Sequence, residues 1–324
     1  MQTRRPAKPG NIKRCLAASI KANIPALTNE FATRRPLAPI ADVVAIGLRA
    51  VASAAALLAA GLPIFLFLYG QLLDRALHSV RSIIRPSALV ALALVLLHAV
   101  IEPVRLVGAW GGALDPSLHA LLLSSAFGTT LAIRILGLVL LASSTLNAGR
   151  PSQAVALAGA TLIAGSFAFM GHTANDPQRW LLAPFLVVHL AAIAFWFGAL
   201  WPLLLVTRHE TAVTAGKLIG EFSRTALVVV PFVLLAGLTM SAFLLPSLSA
   251  LMTPYGLSLV AKACGFAALM ALAALNKWRL TPGIANGNRR SIFAFRISVQ
   301  AEVVLIIAVI TVTAVMTALF SPDH

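Results

Sequence analysis

Runs of twenty or more residues with scarcely a charge recur along this chain, and they restrict its fold more than any other feature. A helix needs about 20 apolar residues to cross the roughly 30 Å hydrocarbon core of a bilayer. Eight stretches meet that need: 43–69, 87–107, 118–146, 152–171, 181–206, 224–246, 255–278 and 293–320. Lipid offers no partner for unpaired backbone groups, so such spans must be helical. The chain is 59% hydrophobic and 11% charged, where a soluble domain carries about a quarter charged residues. The expected fold is therefore all-α: a polytopic integral membrane protein, a bundle of about eight transmembrane helices in a lipid bilayer. Pro86, Pro151, Pro254 and Pro282 fall near the connections, where proline costs a helix little.

The formal net charge of +15 would suggest nucleic acid in a soluble protein, but here the basic residues crowd into short connections beside apolar spans. Twelve Lys or Arg lie in the connections 70–86, 147–151, 207–224 and 277–296. The opposite face holds Arg105 and Arg179, and the last stretch of the N-terminal tail adds Arg34 and Arg35. The positive-inside rule puts the first set in the cytoplasm and both termini outside. Residues 1–42 are expected to be a basic, disordered tail ahead of the helical domain at 43–322. With eight basic residues, that tail opposes the orientation when counted in full, and it has no continuous apolar core like that of a secretory signal. No nucleic-acid partner is called for.

With that orientation the polar residues inside the membrane gather towards the outer face. Histidine within a bilayer is costly to place and marks a functional site by default. Met170 and His172 close the fourth span, and His189 lies well inside the fifth, too deep for snorkelling to rescue it. His98 and Glu102 are four apart and share a helix face. That face suits two ligands for one metal; the alternative is that Glu102 pairs with Arg105 while His98 donates to a backbone carbonyl. Met240 lies at a depth comparable with His189 and would complete a soft site. Thioether and imidazole together suit copper. His98, Glu102, Met170, His172, His189 and Met240 are thus the candidate metal ligands.

Arg49, Arg134, Lys262 and Glu302 are a second set of charges inside spans. Reach would allow Glu302 to meet Lys262 or Arg134, either as a salt bridge clamping helices or as part of a proton or ion relay. Trp110 and Trp180 flank spans as an aromatic belt does, whereas Trp196 and Trp201 are expected between helices, where Gly198 permits close approach. Cys15 and Cys264 share no spacing with each other or with a histidine, so Cys264 reads as a small core residue and no disulfide or thiolate zinc site is expected.

Three segments resemble the copper resistance protein D (CopD) family of bacterial inner-membrane proteins. These are Gly171-His172 followed by His189 and Trp196-Phe197-Gly198-Ala199; Tyr255-Gly256, then Lys262 and Asn276; and Arg296 with Glu302, leading to Pro322. The family often carries a second glycine where this chain has Ala199. The resemblance implies copper, as Cu(I) or Cu(II), moved across the inner membrane after delivery by a periplasmic carrier of the CopC type. No Walker motif or phosphorylation signature is present, so no ATP-driven transport is visible, and the chain is not read as an enzyme. Two alternatives stay open: a haem-binding electron-transfer protein with His98 and His189 as axial ligands, and an assembly factor that delivers copper without transporting it.

Overall fold

A computed structural model of the chain describes residues 38–144, 149–170, 177–245 and 247–320. Among these there is no strand, and eight helices are long and apolar enough to cross a membrane. We label the spans α1 (Ala38–Tyr69), α2 (Ile84–Val107), α3 (Ala126–Ser144), α4 (Arg150–Ser166), α5 (Arg179–His209), α6 (Ala212–Leu244), α7 (Pro254–Leu275) and α8 (Arg289–Leu319). The protein is an all-α polytopic membrane protein, as its apolar runs require.

Alanine and glycine explain how the bundle closes. The buried face of α1 carries Ala52, Ala56, Ala59 and Ala60, and α1 packs against α2, α4, α5 and α8. Its closest crossing is with α5, where a Cβ on Gly61 would lie 1.8 Å from the Ala194 carbonyl oxygen and one on Gly198 would lie 2.4 Å from Gly61 Cα. Helices in lipid gain little by burying apolar surface, so they adhere through close packing at small residues. A second such crossing joins α3 to α4, where the Cβ of Gly137 or Gly159 would meet the other residue's carbonyl oxygen. The outward face is apolar too: Val228, Leu238 and Val304 are all exposed, as lipid-facing residues are.

Several boundaries differ from the sequence expectation. Helix α1 starts at Ala38, so residues 38–42 belong to the bundle and not to the tail; residues 1–37 lie outside the described residues. The third span is not continuous over 118–146. A short helix, Pro116–Leu123, precedes α3, with Pro116 at its start and Asp115 accepting from the Ser117 N–H at 2.9 Å as its cap. It stops where the Ser124 and Ser125 hydroxyls donate to the carbonyls of Leu121 and Leu122; Ser125 Oγ also accepts from the Phe127 N–H at the start of α3. Serine hydroxyls that satisfy the backbone locally offer it a way out of the helix.

Helix α6 begins twelve residues before the expected 224, at Ala212, because Thr211 caps it through the Thr214 N–H. Beyond α7 the chain makes one π-helical turn, Asn276–Leu280, then a short helix, Thr281–Ala285, before Asn288 caps α8. A single π turn within a helix is characteristic of sites where a side chain is re-aimed.

Two outward-facing residues correct the reading of the interior. Trp201 is 52% exposed and Cys264 is exposed, so neither packs between helices. Apolar residues gain nothing from the bundle interior over lipid, and composition therefore does not mark the inward face. Trp110 and Trp180 are exposed near span ends, as belt residues are.

Candidate functional site

The end of the bundle opposite the basic connections holds most of the candidate ligands. On α2 the four-residue spacing does what a helix dictates: His98 Nε2 lies 3.4 Å from Glu102 Oε2, with both residues buried. Beyond Glu102 that nitrogen has no hydrogen-bond partner among the described residues, and the ring packs against Phe127 of α3 at 5.9 Å between centroids. Glu102 Oε1 accepts from Arg105 Nε at 2.9 Å and Nη2 at 2.7 Å. The pairing of Glu102 with Arg105 is therefore present, whereas no His98 bond to a backbone carbonyl is found among the described residues. Arg49 of α1 interacts electrostatically with Glu102 and Arg105, and Arg134 of α3 with Arg49. One carboxylate surrounded by guanidinium groups has little left to offer a metal cation, so Glu102 is the weakest of the proposed ligands.

Arg134 does not reach Glu302. Its Nε donates to Ser166 Oγ at 3.0 Å, and its guanidinium sits 4.0 Å above the Phe167 ring centroid. A guanidinium over an aromatic face is an attractive contact, and more so away from water. Ser166 ends α4, and Phe167–Phe169 forms the 3₁₀ turn that leads into Met170. Arg134 thus fastens the base of the segment that carries Met170, itself half-buried with extended backbone. His172 lies outside the described residues.

His189 stands on α5 facing α6, with Nδ1 3.3 Å from the Val233 carbonyl oxygen. A carbonyl can only accept, so Nδ1 carries the proton and Nε2 presents its lone pair. Metal-ligating histidines are held in this way, with the other ring nitrogen bonded to a carbonyl or carboxylate. Gly237, one turn along α6 from Val233, leaves room for the ring, with His189 Cε1 at 4.0 Å from where a Cβ would stand. Met240 follows Gly237 by three residues and Val233 by seven, so it shares that face of α6. Lys262 acts electrostatically on His189 and pairs with no carboxylate among the described residues.

Glu302 is 2% exposed, and its partners are neither Lys262 nor Arg134. Its Oε2 accepts from Trp196 Nε1 at 2.9 Å and its Oε1 from Asn276 Nδ2 at 2.6 Å. The expected clamp is real in that it joins α5, the π turn that follows α7, and α8, but it is made by two neutral donors and not by a cation. Trp196 and Asn276 are the residues that reasoning from charge missed. Both stood in the motif segments, and a buried indole or carboxamide always needs a polar partner. Beside this group lies a cavity of about 410 Å³ walled by Met270, Phe222, Val299 and Lys277 among others, towards the basic end of the bundle.

Of the five candidate ligands among the described residues, His98 packs against α3 while His189 packs against α6. Among the described residues no three of His, Cys, Asp and Glu form a group able to hold a metal ion. The arrangement nearest to a ligand set is His189 with Met240 on the facing helix.

A helical bundle of eight spans, with a histidine presented inside it and a buried carboxylate served by neutral donors, defines a polytopic membrane protein built to hold polar groups in lipid. The description "Copper resistance protein D" matches residues 216–316, and "Copper resistance protein D-like, N-terminal domain" matches residues 40–180. The chain belongs to the copper resistance protein D family, and its role lies in copper resistance. Copper resistance protein D of Pseudomonas syringae pv. tomato is 27% identical over 230 residues, covering 66% of this chain and 74% of that relative. No solved structure matches the chain significantly.

Proposed function

We propose that the protein transports copper ions across the bacterial inner membrane, from periplasm to cytoplasm. The observation that carries this reading is His189, whose Nδ1 faces the Val233 carbonyl so that Nε2 keeps its lone pair, deep in a span and on the helix pair that holds Met240. An imidazole and a thioether suit Cu(I). Met170 stands at the end of the turn that follows α4, His172 follows it in sequence, and His98 is a further imidazole in the same half of the bundle. The basic connections support the orientation, with both termini on the periplasmic side. On this reading copper arrives from a periplasmic carrier of the CopC type and is loaded at the outer end.

Uptake of radioactive copper into proteoliposomes tests the proposal. Wild-type protein is expected to accumulate copper, and His189→Ala to lose most of that uptake. Copper binding with no uptake in wild type would favour delivery without transport.

A further inference from the structure

Glu302 poses a problem that copper capture at the outer end does not address. Its two oxygens accept from Trp196 and Asn276, yet no cation pairs with it among the described residues. A buried ion without a counter-charge is among the most costly arrangements in a protein. Asn276 carries a second irregularity: its Oδ1 is buried and has no hydrogen-bond partner. The Asn276–Glu302 separation of 2.6 Å is short for N–H···O and ordinary for O–H···O. A carboxamide presents nearly the same outline whichever end is nitrogen, so either end can face Glu302.

We propose that Glu302 is a proton-exchange site whose two protonation states are both served by Asn276. In the charged state Glu302 Oε1 accepts from the Asn276 amide N–H, as the structure has it. When a proton from water adds to that oxygen, the new O–H bond becomes the donor, and the amide turns over so that Oδ1 accepts from it. Release reverses both changes and returns the proton to water. The π turn that begins at Asn276 aims its side chain across to α8. Trp196 donates only, and holds the other oxygen in place in either state.

On this proposal the proton reaches Glu302 through the adjoining cavity, which both Asn276 and Glu302 line and which lies towards the basic end. Of the charged groups near the site, Lys277 is on the cavity wall, whereas Arg296 is bound to Thr207 at 3.0 and 2.6 Å. Lys262 lies beside His189, Arg49 beside Glu102 and Arg105, and Tyr69 packs against Phe222. None of these closes an ion pair with Glu302. Proton exchange at mid-bundle, with a cation site nearer the outer end, is an arrangement suited to a proton-coupled carrier; this last step rests on the transport reading above.

Infrared difference spectroscopy of the full-length protein in vesicles, through a pH change, reads the site without copper. Among the protonated-carboxyl bands that grow as pH falls, wild type is expected to show one component missing from Glu302→Gln, which keeps the shape and an acceptor for Trp196. Asn276→Leu is expected to keep the band and move its pH midpoint by a unit or more; Trp196→Phe is a second such variant. Identical carboxyl bands at every pH in wild type and Glu302→Gln would overturn the proton site. In copper uptake, an imposed pH difference is expected to change the wild-type rate several-fold and to leave Glu302→Gln unaffected. A pH-responsive Glu302→Gln would overturn the coupling. Absence of uptake in wild type with the band intact would overturn only the transport reading.

Discussion

The indole N–H of Trp196 donates to Glu302 Oε2 at 2.9 Å, tying the middle of α5 to the middle of α8 through a wholly buried carboxylate. A hydrogen bond to a charged group contributes about 1.5–3 kcal/mol. Trp196→Phe removes that donor while keeping an aromatic ring, so it is expected to destabilise the bundle by about 2 kcal/mol. Thermal unfolding in detergent, with Trp201→Phe at an outward-facing position as the control, reads the difference.

The contact between Gly61 and Gly198 leaves no room for a side chain on either helix. Gly198→Val is expected to force α1 and α5 apart and to cost more than the about 1–3 kcal/mol typical of overpacking, because the obstructing atoms are backbone. Gly220, which has open space around it, is the control: Gly220→Ala is expected to fold as wild type does. Yield of monodisperse protein measures both.

Arg134 holds the turn leading to Met170 by a hydrogen bond and a ring contact, and lysine cannot make both. Arg134→Lys is expected to loosen the Phe167–Phe169 turn while the spans persist. Limited proteolysis between α4 and α5 should then be several-fold faster than in wild type.

Asp115 caps the short helix Pro116–Leu123 outside the membrane spans, and the Ser117 hydroxyl and N–H hold its carboxyl below the usual carboxylate range. A lowered value in the folded state means the cap is in force at neutral pH and is lost as pH falls through that value. Protection of the Ser117 amide, its exchange measured against the intrinsic rate at each pH, is expected to fall on acidification in wild type and to be low at every pH in Asp115→Ala.

The spans were legible because membrane thickness dictates a length of apolar sequence, and His98 with Glu102 because four residues make a helix turn. Other features depend on facts that a sequence does not display. The break before α3 turns on Ser124 and Ser125, two small polar residues in an apolar run, choosing local backbone partners. The sequence leads one to seek a cation for Glu302, but the elements that adjoin α8 decide otherwise: α5 and the π turn after α7 bring an indole and a carboxamide. Trp201 and Cys264 were placed inside because an apolar residue inside a bundle and one facing lipid look alike in sequence. His189 was marked by its depth alone; the Val233 carbonyl that orients it belongs to the backbone of another helix.

Copper uptake by proteoliposomes of wild type, His189→Ala and His119→Ala tests the central claim most directly. His119 lies on the short helix before α3, with its Nε2 2.9 Å from the Ala113 carbonyl, and serves as a control histidine outside the spans. The account predicts uptake in wild type and His119→Ala and loss of at least tenfold in His189→Ala, with the protein still folded. Uptake by His189→Ala at the wild-type rate would contradict it.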